Sequence, residues 1–326
     1  MNKIEKLKNF HEISSYLNNN SQQKLKKELG IDVTDNVRLS GLRAEDEFLL
    51  ILLFLECCNN IVKIEQGISR LVNPKSIPPD LLCTFNYGLK NAFIEVKKTK
   101  KDFWKISRTD FQKRKSFVQS YKIPLYFAVR IRSFWGLFSS EYIEEQGLKI
   151  YTKDYKNNLF DKYTDNFAVI FPYGIEIKSI YSKLKEGIGG GKNQYGNLIY
   201  WEIKYKDKSV VINKEERNKL IWKFIMWPIE DYLLLDSSNI TKQGNYTIIE
   251  KKLKNNLIVN SYLFFLSIIR HTIYKKDYPF NASSLLKQLK ENKNYLYRIP
   301  NKSVILSVLN DIKSIVPLII YKTKVE

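Results

Sequence analysis

Pro79-Asp80-Leu81-Leu82-Cys83-Thr84-Phe85 and, after Asn86-Tyr87-Gly88, the stretch Asn91-Ala92-Phe93-Ile94-Glu95-Val96-Lys97-Lys98 read as two strands joined by a turn. Pro78-Pro79 ends whatever precedes the first strand. Side chains alternate faces along a strand, so Glu95 and Lys97 project together, while Phe93, Ile94 and Val96 divide between sheet surfaces buried on both sides. An acid and a lysine thereby stand beside an aspartate from the neighbouring strand. Two carboxylates about 4 Å apart repel by roughly 4 kcal/mol at an effective dielectric near 20, so one must be protonated or a cation must sit between them. Magnesium suits such a pair: it prefers oxygen ligands, keeps several waters, and activates both a phosphodiester and an attacking water. Lys97 is placed to orient that water or to neutralise charge on the phosphate. The plainer reading makes Glu95 and Lys97 a solvated strand face and Asp80 a turn residue.

The charge of the chain bears on the choice. Its 326 residues, 44% of them hydrophobic, suffice for two domains with cores of their own, and the formal net charge of +20 points to a polyanionic partner. Nucleic acid leads. An anionic membrane is the rival, but no segment reaches the roughly twenty uninterrupted apolar residues needed to span a bilayer. Residues Met1 to Phe10 alternate lysines with apolar residues and show no secretion signal. Cys57, Cys58 and Cys83 form a sparse, odd set without metal-ligand spacing, which implies reduced core thiols in a cytoplasm-like compartment. With only His11 and His271, a zinc site or a histidine-based triad is not expected.

Residues 1–40 read as short polar helices without chemistry of their own. From Gly41, the lead-in to Phe48-Leu49-Leu50-Ile51-Leu52-Leu53-Phe54-Leu55 predicts a core helix whose first turn carries Glu45 and Glu47, acids that suit the helix dipole there. One of the two is alternatively a third metal ligand. Ile61 to Gln66 reads as a strand and Gly67-Ile68-Ser69 as a turn. The basic run Lys97-Lys98-Thr99-Lys100-Lys101 begins at the proposed site, where Lys98, Lys100 and Lys101 would meet a phosphate backbone. A helix from Ser107 to Tyr121 would bury Phe111 and Phe117 and expose Lys113, Arg114 and Lys115, with Lys113 and Arg114 expected to contact nucleic acid. Strands at Leu125 to Ile131 and Trp135 to Phe138 complete an α/β unit.

These features occur in one order: Gly41, Ala44 and Glu45 as Gly-x-x-Ala-Glu; Ser69; Pro79-Asp80; Ile94-Glu95-Val96-Lys97-Lys98-Thr99; a helix; Pro124-Leu125-Tyr126-Phe127-Ala128-Val129-Arg130; and Trp135. The order resembles the PD-(D/E)xK nuclease superfamily, and within it the archaeal-type Holliday junction resolvases and related restriction-type endonucleases. The resemblance covers residues 41–140. It implies a restriction-endonuclease-like core, a mixed central sheet flanked by helices, performing magnesium-dependent phosphodiester hydrolysis with manganese as substitute. Asp80, Glu95 and the Val96 carbonyl would hold the metal, Lys97 would assist the water, and Glu45, or in its place Glu47, would supply the helix acid. Ser69 matches a serine near the scissile phosphate. The family often carries a site-facing glutamine on the next helix; here Asp110 falls in that register, and Gln112 lies roughly 200° further round. DNA is the implied partner with RNA left open, and a homodimer, or a protein bound by the C-terminal region, is the further partner to look for.

Residues 141–165 are polar and read as a linker. Residues 166–326 predict an α+β region: strands at Phe167 to Phe171, Gly174 to Tyr181, Leu198 to Tyr205 and Ser209 to Ile212, then helices at Glu215 to Trp227, Leu257 to Tyr274, Leu285 to Lys290 and Val304 to Ile315, and a last strand from Leu318. The helices and strand at the end suit a winged helix, with Lys302 and Lys313 toward DNA, or equally a dimerisation or partner-binding domain. Glu176/Lys178 and Glu202/Lys204 repeat the Glu-x-Lys pattern as cross-strand surface charges. Gly187-Ile188-Gly189-Gly190-Gly191-Lys192 is a hairpin tip rather than a phosphate loop, because no Ser or Thr follows the lysine. Three classes of function follow: an endonuclease whose C-terminal half selects substrate or partner in a restriction, mobile-element or defence setting; a junction resolvase with an added domain; and an inactive nucleic-acid-binding module.

Overall fold

The computed structural model describes residues 3–14, 17–31, 36–64, 75–86, 88, 90–132, 134–188, 192–216, 220–223, 225–226, 229–230, 238–265, 282–291 and 300–322. They divide into two compact units. The first comprises Met1–Asn166, Ile273–Leu296 and Thr323–Glu326, and the second Phe167–Thr272 and Tyr297–Lys322.

The first unit is built on a five-stranded mixed sheet of β1 (Cys58–Lys63), β2 (Leu81–Phe85), β3 (Asn91–Thr99), β5 (Leu125–Ile131) and β6 (Phe134–Ser139), in the order β1-β2-β3-β5-β6. The β3/β5 pair is parallel and the other three are antiparallel. A parallel pair needs a crossover, and here it consists of β4 (Phe103–Lys105) and the helix Arg108–Gln119. Both faces of the sheet are covered, which is why β3 is buried continuously from Ala92 to Val96, and β5 at nearly every position, rather than at every second one.

Along β5 the two faces separate by parity. Leu125, Phe127, Val129 and Ile131 join Phe93, Trp104, Phe111 and Val118 in one apolar cluster under Arg108–Gln119. On the opposite face Trp135 packs on Phe48 of α3 (Asn36–Phe54), ring centroids 5.0 Å apart. The all-apolar run expected as a core helix is the C-terminal half of α3, preceded by the short helices α1 (Lys3–Ser14) and α2 (Asn19–Glu28). Ser107 caps the helix Arg108–Gln119 by accepting from the Asp110 N–H at 3.1 Å, so the start read from the sequence is the observed one.

The stretch 141–165 is not a linker. It holds the helix Ser140–Glu145, β7 (Lys149–Tyr151), a 3-10 helix and the helix Phe160–Thr164. Ile143, Ile150 and Phe160 are fully or nearly fully buried, so its polar composition describes only its outer side. Nor is the N-terminus an independent appendage: α1 packs on α3 through His11 Nε2, which lies 2.9 Å from Asp46 Oδ2 and 3.3 Å from the Ser283 hydroxyl. Ser283 sits on the helix Ala282–Glu291, which itself packs on α3.

The second unit contains a six-stranded antiparallel sheet in the order β10 (Lys192–Asn193), β11, β9, β14 (Tyr246–Lys252) and β13 (Ser238–Gln243), with β12 on β11, and a three-stranded sheet β15-β8-β16. Strands β8 (Phe167–Phe171), β9 (Glu176–Ser182), β11 (Gly196–Tyr205) and β12 (Lys208–Ile212) lie where the alternation placed them. Lys178 stands opposite both Glu202 and Glu250, and Glu176 opposite Lys204 and Lys252, so the two Glu-x-Lys repeats are cross-strand charges on the wet face of this sheet. The helix expected at Leu257 to Tyr274 is corrected at its start: Leu257–Asn260 is β15, paired with β8, and helical structure begins at residue 261. The winged helix is not confirmed. Ala282–Glu291 belongs to the first unit while Lys302–Ile312 and β16 (Ile319–Lys322) belong to the second, so no single module contains them.

Candidate active site

The site lies where β2 starts beside β3. Leu81 is the first paired residue of β2, opposite Ile94. The Phe93 N–H bonds the Pro124 carbonyl on the β5 side, so by alternation the backbone of Val96 faces the other edge, past the start of β2. Asp80 fills that position, and its Oδ2 accepts the Val96 N–H at 2.7 Å. The Pro-Pro pair before Asp80 matters here because Pro79 brings no N–H of its own to the end of the ladder.

Glu95 projects onto the face covered by Arg108–Gln119 and has no exposed surface. Its Oε1 contacts Lys97 Nζ, and Arg114 Nη2 lies 2.6 Å away. Its Oε2 is buried without a hydrogen-bond partner. Lys97, with about a third of its side chain exposed, is where this group meets solvent. Burial pushes the Asp80 carboxyl up, and the adjoining Glu95 charge pushes it further, to about 8. Burial would raise Glu95 too, but the Lys97 and Arg114 charges outweigh it and hold that carboxyl below its ordinary value. The pair therefore splits into one proton-holding acid and one fixed anion, as two close carboxylates must.

The structure thus brings Asp80, Glu95 and Lys97 together as the alternation required. Glu45 stands close enough for its charge to raise Asp80, and its Oε2 is 3.2 Å from Lys63 Nζ. Burial raises the Glu45 carboxyl itself, against the pull of Lys63. Glu47 is not in the site: both of its oxygens are taken by Arg130 Nη1, and Trp135 Nε1 donates to Oε1 at 3.3 Å, on the opposite face of the sheet from Glu95. Gln112 is exposed on its helix and faces away. Ser69 lies outside the described residues. Lys98, Lys100 and Lys101 are exposed and Lys113 half-buried.

Arg114 is the correction with most consequence. It was expected on the solvent face of its helix as a DNA contact, yet it is buried and ion-paired with Glu95. The signal was present in the spacing. Phe111, Arg114 and Val118 recur at helical intervals on one face, and all three are buried. Lys63, which joins Glu45 to Asp46 at 3.2 and 3.1 Å, was also missed, because β1 gave no sign of which acids it would face.

A groove of about 310 Å³ opens at Lys97 and Arg114 and runs past Trp104, Lys105 and Asp110. A larger cavity of about 440 Å³ in the second unit lies against the cross-strand pairs Lys178–Glu250 and Lys252–Glu176, whose charges neutralise one another. It therefore offers no comparable chemistry.

Among the described residues no group of three or more His, Cys, Asp or Glu is arranged to hold a metal. Two carboxylates with a backbone carbonyl and waters are nonetheless a sufficient donor set for magnesium. The orphaned, buried Glu95 Oε2 is the atom such an ion would satisfy.

No family model matches the chain, and no curated protein matches it. Among solved structures, the Holliday junction resolvase Hjc of Archaeoglobus fulgidus is similar at 21% identity over 36% of this chain and 93% of that one, with a TM-score of 0.30. At so low a score the likeness decides neither fold nor chemistry, which rest on the side chains described above. Among the described residues no helix is long and apolar enough to cross a membrane.

Proposed function

We propose that the chain is a metal-dependent endonuclease that hydrolyses phosphodiester bonds of DNA in the cytoplasm, with its second unit selecting substrate or partner. The observation that carries this reading is the buried Glu95, with one oxygen held by two cations and the other orphaned, next to an aspartate that shares its space. Replacing a buried charged cluster of this kind with well-packed apolar residues is often neutral or stabilising, so its presence favours a chemical role over a purely structural one.

Asp80, Glu95 and the Val96 carbonyl would hold magnesium or manganese, with Glu45 beside them. The ion would supply Lewis-acid activation of the phosphodiester and of water. The chain's own residues do the rest. Lys97, the partly exposed member, donates hydrogen bonds to the attacking water and to the phosphate. Arg114 fixes the Glu95 carboxylate in one rotamer and keeps it ionised. Asp80, oriented by the Val96 N–H, would offer its carboxylate to the ion.

The test is a digestion panel of linear duplex, single strand, four-way junction and RNA, each with magnesium, with manganese and with neither. Metal-dependent cleavage of DNA, lost in Asp80→Ala, is expected. Cleavage of the junction alone would make the chain a resolvase. Binding without cleavage under both metals would overturn the nuclease reading.

A further inference from the structure

Strands β4 (Phe103–Lys105) and β7 (Lys149–Tyr151) form a two-stranded antiparallel ribbon beside the candidate site. Trp104 and Ile150 point into the core, so Phe103, Lys105, Lys149 and Tyr151 share the outer face. The register sets Phe103 opposite Tyr151, ring centroids 5.9 Å apart, and Lys105 opposite Lys149. Like charges directly opposite on a ribbon are destabilising. Among the described residues no carboxylate pairs with them: Asp102 is engaged by Arg132 at 2.6 Å, and Asp154 is buried, accepting the Tyr151 N–H at 2.7 Å. Among the described residues none of Lys101, Lys105, Lys149 and Lys153 makes an ion pair with an acid. Instead the ammonium groups of Lys101, Lys149 and Lys153 gather over the two rings. Lys149 lies 4.9 Å and Lys101 5.8 Å from the Phe103 centroid, and Lys149 and Lys153 lie 5.2 and 5.6 Å from that of Tyr151.

We propose that the outer face of this ribbon is a nucleic-acid backbone clamp, in which Lys101, Lys149 and Lys153, spread over the Phe103 and Tyr151 rings, and Lys105, opposite Lys149, take successive phosphates of duplex DNA leading to the cleavage site. The rings are occupied by lysines and cannot stack bases. The clamp therefore reads phosphate charge and not sequence. Lys105 belongs both to this face and to the groove that opens at Lys97, so the bound strand runs continuously toward Glu95 and Asp80. The proposal deepens the nuclease reading and rests on it only for the identity of the strand's destination.

The full chain, carrying Asp80→Asn so that nothing is cut, is titrated with a linear duplex in metal-free buffer over a range of salt. Each phosphate contact contributes about 0.9 to the slope of log K against log salt. Lys149→Gln with Lys153→Gln should lower the slope by about 2 on any duplex sequence, and Lys101→Gln with Lys153→Gln, both exposed, should do the same without touching the ribbon's packing. Lys24→Gln with Lys27→Gln, on the exposed side of α2, removes equal charge and should leave the slope within a few tenths of the parent. Equal slopes for the ribbon and α2 pairs, or no duplex binding by the parent chain, would overturn the clamp. A slope loss confined to the ribbon pairs, with no cutting of any substrate under magnesium or manganese by the chain that keeps Asp80, would keep the clamp and overturn the nuclease. Metal-dependent cutting with unchanged slopes would do the reverse.

Discussion

Arg114 Nη2 lies 2.6 Å from Glu95 Oε1, on a carboxylate that has no contact with solvent. Removing one partner of a buried pair leaves an uncompensated charge, so Arg114→Ala is expected to lower unfolding stability by about 3 kcal/mol. Lys97 still reaches the same oxygen and keeps the loss from being larger. With a cation gone from Glu95, added magnesium should raise the melting temperature more in Arg114→Ala than in the parent. Calorimetry with and without metal measures both effects. An unchanged stability would remove Arg114 from the site.

Lys97 and Asp80 separate catalysis from binding. Lys97→Ala is expected to reduce cleavage by at least two orders of magnitude, in keeping with the loss of a positioned donor to the reacting group, while duplex affinity without metal falls less than tenfold. Asp80→Asn should abolish cleavage and change stability in a pH-dependent way. The folded Asp80 titrates near 8 against 3.8 for an ordinary aspartate, so its contribution is fully present below about 3.8 and is lost as the pH rises through 8. The asparagine has no such loss. Relative to the parent, Asp80→Asn should therefore be more stable at pH 8 than at pH 5, as read by urea denaturation at the two pH values.

How much of this was legible beforehand depended on whether the pattern was local. Strand alternation put Glu95 and Lys97 on one face, and the Pro-Pro pair fixed where β2 begins, because both are properties of adjacent residues. Arg114 was misassigned because a charged residue on an amphipathic helix is ordinarily solvent-facing, and only the buried Glu95 across the gap reverses that preference. Glu45 and Glu47 could not be separated from the sequence. They lie two residues apart on α3, about 200° around the helix, and it is Arg130 and Trp135, contributed by distant strands, that claim Glu47. The ribbon of β4 and β7 was invisible for a related reason: strands of three residues carry too little periodicity to register.

Asp46 governs acid stability. Burial would raise its carboxyl, but the bond from His11, the Lys63 charge and the Ser283 hydroxyl together hold it down at about 2. A folded value depressed below the ordinary 3.8 contributes stability that is present above that value and lost as the pH falls through 2. The difference corresponds to about 2 kcal/mol at neutral pH. Asp46→Asn should therefore destabilise the protein at pH 6 by about that amount and shed most of the difference by pH 2. Because His11 and Ser283 reach Asp46 from α1 and from the helix Ala282–Glu291, the loosened elements should be those two helices, seen as faster amide exchange there than in β3 or β5.

Gly196 tests the second unit separately. It begins β11 with φ at +111°, a region that side-chain-bearing residues rarely enter, and a Cβ there would fall against the carbonyl of Ser182 and within 2.9 Å of the Lys183 nitrogen. Those atoms belong to the backbone of β9 and the residue after it, so no side-chain rotation can relieve the contact. Asn197 is paired with Ser182 in this part of the sheet, and Ser182 in turn with Tyr246 of β14, so a shift at Gly196 is felt across three strands. Gly196→Ala is expected to destabilise the second unit by about 2 to 4 kcal/mol, combining the strained φ with the displaced backbone. Gly244→Ala is the comparison, with φ at +57° and nothing within 4 Å of its added Cβ; it keeps the backbone strain without the collision and should lose only about 1 kcal/mol. Equal losses for the two variants would mean that the close approach of β11 to Ser182 does not hold the sheet together.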